Sequence, residues 1–398
     1  MSGIDDVLVV GGGVIGTAIT ESLAGEGLRV RLLEAEGVAS GASGAAAGML
    51  APISEAHAPG PMLDLGLESL ARFEGLCARL KDETGIDPEL ERSGLFSVAT
   101  GAGEIEALRQ RHRLLVASAV PTAGTGPAAG EALAPNDLEW IDAAILRAEI
   151  PSLASDVSAG LYSAREKHLR PPLFARALEA SARARSAAIE TGVRVQGLLC
   201  ANDRIIGVET SAGRRAAGAV VLAAGPWTPG LLESLTARLD LARPLEIEPV
   251  RGQILLLEPP LPTQRAIIWG PGIYLVPKRD GSWIVGATEE RVGFDRRVTA
   301  EGVGELLSRA CRLIPELKDA GFGTAWAGLR PVSGDGLPWI GPLPGARGLY
   351  IAAGHGRNGV LLAPITAERI RDAVLDKTVS APADRPFAAG PSLPTTPS

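Results

Sequence analysis

The sequence predicts an α/β protein in which a mostly parallel sheet is assembled from separated segments and a second domain is inserted between them. Short apolar runs typical of buried strands occur near the N-terminus, near residue 220 and near residue 350. Between the last two runs, residues 251–257 and 273–288 have the pattern of antiparallel strands, with Asp280-Gly281 as a hairpin turn. With 398 residues, the chain has room for two domains that share a core.

The N-terminal segment has the order of a βαβ unit. An apolar run at Val7–Val10 ends in glycine, helix-period spacing continues to Ala24, and a second apolar run covers Leu28–Leu33. The turn Gly11-Gly12-Gly13-Val14-Ile15-Gly16 matches G-x-G-x-x-G, and Glu34 ends the next strand. This context indicates a Rossmann-like dinucleotide-binding domain.

Each part of the motif has a physical role in that interpretation. Gly11 allows the tight turn, Gly13 allows the backbone to approach a pyrophosphate, and Gly16 allows helix and strand to pack closely. The helix N-terminus faces the phosphates with free N–H groups and a positive dipole. Glu34 can accept hydrogen bonds from ribose hydroxyls, although alone it would also suit a solvated side chain.

The glycine motif does not distinguish FAD from NAD. The small-residue tract 40–49 favours FAD, because small side chains allow the backbone to pass close to a flat ring system. On composition alone, a flexible loop explains the tract equally well.

Six segments in a fixed order extend over nearly the whole chain and resemble the D-amino-acid-oxidase-like FAD oxidoreductases. Within that family the resemblance is closest to the glycine oxidases of thiamine biosynthesis, while sarcosine oxidases and amino-acid dehydrogenases share several segments. The segments are GGGVIG (11–16), SGAAAGML (43–50), VVLAAGPW (220–227), YLVPKRDGSWIVGATEE (274–290), WAGLRPVSGDGLPWIG (326–341) and AAGHGRNGVLLAP (352–364).

The resemblance implies a non-covalent FAD. A flavin–cysteine link is not expected, because Cys77, Cys200 and Cys311 lie outside the flavin segments. The residues predicted to bind FAD are Gly11, Gly13, Val14, Ile15, Gly16, Glu34, Ala35, Ala42, Ser43, Ala47, Gly48, Met49, Gly225, His355, Gly356, Arg357, Asn358, Gly359, Val360 and Leu361.

Three residues are implied to act at the reacting centre. Arg330 pairs with the substrate carboxylate through its planar fork, Tyr274 assists, and Arg357 lies near the substrate and ring. The residues alone also allow a surface ion pair for Arg330 and core packing for Tyr274. His355 is a candidate base, but its glycine-rich turn favours a flavin contact.

The implied reaction is oxidative deamination of a small amino acid by hydride transfer from the α-carbon to flavin. Oxygen then gives hydrogen peroxide, and the imino acid feeds thiazole synthesis, so a thiazole synthase is the expected metabolic partner. Glycine is the first substrate expected, followed by sarcosine and small D-amino acids. The alternatives are a dehydrogenase with another acceptor, a non-catalytic FAD module, and an enzyme acting on a glycine-like modified tRNA nucleoside. The net charge of −7 argues against a nucleic-acid partner.

The predicted FAD domain comprises residues 1–85, 157–228 and 328–378, and the substrate domain comprises 86–156 and 229–327. The tail, 379–398, is Pro-rich and expected to be poorly ordered. The four histidines lack metal-ligand spacing, so no metal is expected. Widely spaced cysteines, Asp5-Asp6 in place of a basic signal region and the lack of a membrane-length apolar run predict a cytoplasmic protein, and the family is compatible with a homo-oligomer.

Overall fold

The structure, a computed structural model, describes residues 4–118, 133–241, 243–259, 264–377 and 386–388. The strands are β1 (Asp5–Val10), β2 (Val30–Glu34), β3 (Met49–Leu50), β4 (Leu95–Ala99), β5 (Glu139–Asp142), β6 (Ala159–Ser163), β7 (Lys167–His168), β8 (Ala188–Thr191), β9 (Val195–Ala201), β10 (Arg204–Thr210), β11 (Gly213–Leu222), β12 (Ile247–Glu258), β13 (Ile267–Gly270), β14 (Ile273–Pro277), β15 (Trp283–Gly286), β16 (Gly321–Ser333), β17 (Trp339–Pro342) and β18 (Leu349–Ala353). The helices are α1 (Val14–Gly25), α2 (Pro52–Glu55), α3 (Pro61–Leu70), α4 (Phe73–Thr84), α5 (Ala102–Ser118), α6 (Ala143–Glu149), α7 (Pro171–Ala184), α8 (Thr228–Leu232), α9 (Ala300–Leu313) and α10 (Gly359–Val374).

The first sheet has the order β17-β18-β11-β1-β2-β8, with β10 and β9 extending from β11 as a hairpin. Strand β1 pairs in parallel with β2 and β11, which pair in parallel with β8 and β18 respectively. The prediction of a mostly parallel sheet assembled from distant segments is therefore confirmed.

Both faces of this sheet are covered, as a parallel sheet requires. Val7 and Val9 of β1 face the cluster formed with α1, α7 and α10, whereas Leu8 and Val10 face a second cluster that contains Trp339. All five side chains are buried. The continuous apolar run of β1 thus supplies two cores, because successive side chains of a strand point to opposite faces.

The second sheet has the order β16-β12-β15-β14-β13-β4-β6-β5. Its pairs are antiparallel except β13 with β4. The antiparallel pattern predicted for residues 251–257 and 273–288 is therefore present in a sheet that is mixed overall. The predicted hairpin at Asp280-Gly281 joins β14 to β15 and pairs Tyr274 with Gly286. Helix α9 covers one face through Leu306 and Ala310.

Two local predictions differ from the structure. Helical spacing in the sequence predicts a helix over residues 172–189, but α7 ends at Ala184, and Ala188–Thr191 forms β8 beside β2. Alanine-rich sequence satisfies helical spacing, but sheet pairing determines where the helix stops. The Ala-, Gly- and Pro-rich composition of residues 117–135 predicts a loop, but α5 extends through Ser118. Residues 119–132 lie outside the described part of the chain, as does nearly all of the predicted tail.

The predicted domain boundaries cut through observed elements. Strand β6 pairs with β4 and β5 in the second sheet, although the boundary at 157 assigned it to the FAD domain. Strand β16 continues in the second sheet past the boundary at 328, and the segment 231–241 packs against the first sheet. The domain division stays a prediction, and we propose assigning these segments to the sheets that they contact.

Candidate active site

A cavity of about 620 Å³ lies between the two sheets. It extends from the carboxyl ends of β1 and β2, past the first turn of α1, to residues of β14 and β16 in the second sheet. The predicted residues that line this first cavity are Gly11, Gly13, Val14, Ile15, Glu34, Ala35, Ala42, Ser43, Ala47, Gly48, Met49, Gly225, Tyr274, Arg330, His355, Gly356, Arg357, Gly359 and Val360.

Three predicted residues do not line the first cavity. Gly16 packs against the main chain of Gly11 behind the cavity wall, which fits its predicted packing role. Leu361 is buried in the core of the first sheet, because the turn of α10 directs it inward. Asn358 lines a second, adjoining cavity. The FAD contacts expected for Leu361 and Asn358 stay predictions, since neither residue lines the cavity that contains the others.

The glycine turn has the geometry that a phosphate cradle requires. Gly11 has a φ of 108°, and a Cβ there would overlap the main chain of Ala223, so only glycine fits. Helix α1 begins at Val14 after Gly13, which offers no side-chain cap. The Val14 N–H donates to the Ser43 hydroxyl over 2.9 Å. The N–H groups and dipole of this helix end favour an anion in the cavity.

The carboxylate of Glu34 lies beside the glycine turn in the cavity wall. Its two oxygens accept hydrogen bonds from the N–H groups of Gly12 (2.6 Å) and Glu36 (2.7 Å). Each oxygen keeps a lone pair for a hydroxyl donor. Residues 193–196 line the cavity beside it, and Val193 donates to the Glu34 carbonyl over 2.9 Å. The family resemblance implies an adenine contact near residues 192–199 without pointing to a particular residue there.

A buried lysine holds the small-residue tract in place. The ammonium group of Lys278 donates to the carbonyl oxygens of Ala47 (2.7 Å) and Leu169 (2.9 Å). Burial lowers the pKa of Lys278 to about 7. Because Lys278 directly follows β14, it ties the tract to the second sheet. The sequence did not identify it, since a lysine after a strand is typical of a surface position.

His355 precedes α10 and is buried. Its Nε2 lies 3.1 Å from the hydroxyl of Thr366 on that helix. Burial lowers the pKa of His355 to about 3, so the ring is neutral near pH 7. This placement favours a role in shaping the turn over a role in acid–base chemistry.

Arg330 lies on β16, and its Nη1 donates to the carbonyl of Thr288 over 3.1 Å. The Thr288 hydroxyl donates to Glu290 (2.5 Å) and accepts the N–H of Gln253 (2.9 Å). These two hydrogen bonds hold Thr288, whose carbonyl binds Arg330, in place. A Cβ at Gly252 would overlap the guanidinium. In the described part of the chain, no carboxylate forms an ion pair with Arg330. Among the described residues, Arg330 therefore offers the cavity a cation that no ion pair neutralises.

Tyr274 of β14 stands beside this cation and is buried. Its ring meets Trp269 edge to face, with centroids 6.3 Å apart. Burial raises the pKa of Tyr274, and the cations of Arg330 and Arg357 counteract part of that rise. The hydroxyl consequently keeps its proton at neutral pH and can donate it to an anion.

Arg357 differs from Arg330, because a carboxylate neutralises it. Its Nε lies 3.3 Å from Oε1 of Glu55, and its guanidinium lies 4.9 Å from the centre of the Trp269 ring. Burial raises the pKa of Glu55, while Arg357 counteracts the rise. No motif marked Glu55 in the sequence, since a glutamate at the end of a four-residue helix is typical of a solvated position.

A second cavity of about 590 Å³ adjoins the first. Its outer wall includes Glu289, Glu305 and Arg309. The residues common to both cavities are Tyr274, Arg330, His355, Gly356 and Arg357. The predicted substrate residues therefore stand at the junction of the two cavities.

The first cavity fits FAD. A glycine-lined helix end suits the pyrophosphate, a carboxylate suits the ribose, and a tract of small residues suits the flat ring. None of the three cysteines, all in the described part of the chain, lines either cavity. Within the same part, no cluster of His, Cys, Asp or Glu could hold a metal ion, and no helix is long and apolar enough to span a membrane.

Comparison with known proteins identifies the class. Residues 6–373 match the family of FAD dependent oxidoreductases that contains D-amino-acid oxidase, and the chain belongs to this family. Its cofactor is therefore FAD, and both the family resemblance and the α/β fold predicted from the sequence are confirmed.

Individual members of this family show which enzymes the chain is similar to. Glycine oxidase of Geobacillus kaustophilus is 35% identical over 371 residues, which cover 93% of this chain and 92% of that protein. The bifunctional protein ThiO/ThiG of Synechocystis sp. is 36% identical over 96% of this chain, which spans 53% of that longer protein. The crystal structure of glycine oxidase from Geobacillus kaustophilus matches with a TM-score of 0.87 and 33% identity, covering 98% of this chain and 99% of that one.

Proposed function

We propose that the protein is an FAD-dependent amino-acid oxidase whose main substrate is glycine, with sarcosine and small D-amino acids as further substrates. The observation that carries the proposal is Arg330, which forms no ion pair with a carboxylate of the described residues, beside the protonated Tyr274 where the two cavities meet. A fixed cation and a hydroxyl donor together suit a carboxylate. The similarity to glycine oxidases supports glycine as the amino acid.

The chain's own residues act chiefly by positioning the substrate. Arg330 donates two parallel hydrogen bonds to the substrate carboxylate, and Tyr274 donates a third. A carboxylate held in this way directs the Cα–H bond, and such orientation is worth a large factor in rate. When bound, FAD supplies the acceptor for the hydride of the α-carbon.

The surrounding residues complete the electrostatic environment. His355 is neutral, and we assign it to the turn that meets the pyrimidine edge of the ring. Helix α10 begins at Gly359 in the cavity wall, so its positive N-terminal dipole favours negative charge there. No protein base is required at the α-carbon if the substrate amine binds in its neutral form.

The overall reaction converts glycine and oxygen to iminoacetate and hydrogen peroxide. We propose that the imino acid serves thiazole synthesis, so that a thiazole synthase consumes it. The bifunctional relative ThiO/ThiG supports this link, because this chain matches about half of a protein that joins two parts. The alternatives are a dehydrogenase with another acceptor and an enzyme for a modified tRNA nucleoside.

Oxygen uptake tests the proposal. The purified protein with FAD should consume oxygen and release peroxide with glycine, less readily with sarcosine, D-alanine or D-proline, and not with L-alanine. Flavin reduction without oxygen uptake would instead indicate the dehydrogenase. If none of the amino acids is oxidised, the proposed activity is wrong.

A further inference from the structure

Two arginines line the junction of the cavities, and they differ in whether a carboxylate pairs with them. Arg330 contacts a main-chain carbonyl and has no carboxylate partner among the described residues. Arg357 is paired with Glu55, whose side chain is only 14% exposed. With Glu55 ionised in its pair with Arg357, the three groups sum to a single positive charge, which matches one substrate carboxylate.

The fold fixes the position of Glu55 through its neighbour. Ser54 donates from both its N–H and its hydroxyl to the buried carboxyl of Glu166, with both distances 2.5 Å. Arg111 of α5 donates to the Ser54 carbonyl over 3.0 Å. Helix α2 has only four residues, so this network, rather than the helix, determines where Glu55 lies.

Trp269 holds the other side of Arg357. Its ring lies 4.9 Å below the guanidinium, an arrangement typical of cation–π contact. Arg357 is thus held between an aromatic face and a carboxylate, which limits its reach toward a ligand. Its side chain is still 42% exposed, so removal of the carboxylate would leave it accessible.

We propose that Glu55 is a specificity-determining residue that occupies Arg357 and thereby restricts the site to monocarboxylates. The inference rests on the proposed function, since it concerns the substrate class of that site. The first carboxylate of a dicarboxylate binds Arg330. The second then meets an arginine whose charge is already satisfied and a glutamate of like charge, which disfavours the complex.

Inert ligands test the proposal in the FAD-loaded protein. Acetate and malonate are titrated at mildly alkaline pH, where both malonate carboxyl groups are ionised, and binding is followed by the change in the visible spectrum of bound FAD. In Glu55→Gln, which keeps the shape of the side chain, the affinity for malonate relative to acetate should rise roughly fivefold to tenfold, a moderate effect because Arg357 is partly solvated.

Two further variants separate pairing from net charge. Glu209→Gln removes the same charge from an exposed pair with Arg214 on the β9–β10–β11 hairpins, which line neither cavity at that position, and should leave the ratio unchanged. Adding Arg357→Met to Glu55→Gln should abolish the gain. FAD content is measured for each variant.

Several results would overturn the proposal. These are an unchanged ratio in Glu55→Gln, an equal rise in Glu209→Gln, a gain that survives the loss of Arg357, or a spectrum that neither acid alters in any variant. Because the titration requires no turnover, the ratio can shift in a protein that oxidises no amino acid. That combination would reject the proposed activity and keep the role of Glu55.

Discussion

Arg330 is a cation that strand β16 holds against main-chain atoms. Thr288 offers its carbonyl to the guanidinium, and the absence of a Cβ at Gly252 leaves the space that the guanidinium occupies. Neither contact neutralises the charge. We therefore expect the charge of Arg330 to contribute to the binding free energy of a ligand that carries a carboxylate.

Replacement of Arg330 by alanine should lower kcat/KM for glycine, because a charged hydrogen-bonding partner of the substrate is lost. The loss of transition-state stabilisation should be on the order of 2–5 kcal/mol. Steady-state oxygen uptake measures the effect. FAD content should stay normal, since the change lies at the substrate end of the cavity. Arg214→Ala, which removes an exposed arginine, is the matched control. A variant that oxidises glycine as well as the parent would refute the assignment.

At this scale the sequence predicted the motif residues better than the isolated ones. Gly11, Glu34, Tyr274 and Arg330 belong to recognisable segments, and all four line the first cavity. Glu55 and Lys278 were not predicted, because a charged side chain is usually solvated. No individual residue of 193–196 was predicted, because that segment carries no motif. The burial of Glu55 and Lys278 depends on which distant segments cover them.

At the scale of elements, α2 depends on a buried acid. Glu166 accepts both hydrogen bonds of Ser54, and burial raises the pKa of Glu166 from 4.5 to about 7. The folded state therefore binds more protons than the unfolded state between these pH values. Stability contributed by the neutral carboxyl is fully present below about 4.5 and is lost as pH rises toward 7.

Glu166→Gln should remove this pH dependence, because an amide does not titrate and can still bond both groups of Ser54. The free energy of unfolding of the parent, relative to that of the variant, should fall as pH rises from about 4.5 to 7 and then level off. Urea unfolding at a series of pH values measures the difference. Parallel curves for the two proteins would show that folding does not raise the pKa of Glu166.

Some helices and strands could be predicted from the sequence, and others could not. The β1–α1–β2 unit and the β14–β15 hairpin follow from hydrophobic period and turn residues, which act locally. The end of α7 and the membership of β6 were not predictable, because both depend on sheet pairing with remote strands.

At the scale of the whole molecule, contacts between distant segments close the first cavity. Arg296 pairs with Glu36 over 3.0 Å, and Phe294 lies against Trp227 with ring centroids 5.5 Å apart. These residues and Lys278 join the loops of the second sheet to the first. The sequence predicted two sheets and a shared site, but the way the sheets face each other depends on such pairs, which no local pattern marks.

Anaerobic reduction of the bound flavin by glycine tests the central claim most directly. The purified protein should show the visible spectrum of oxidised FAD, glycine should bleach it in the absence of oxygen, and readmitted air should restore it. L-alanine should leave the spectrum unchanged. A bound flavin that neither glycine, sarcosine nor the D-amino acids bleach would contradict the claim that this site oxidises small amino acids.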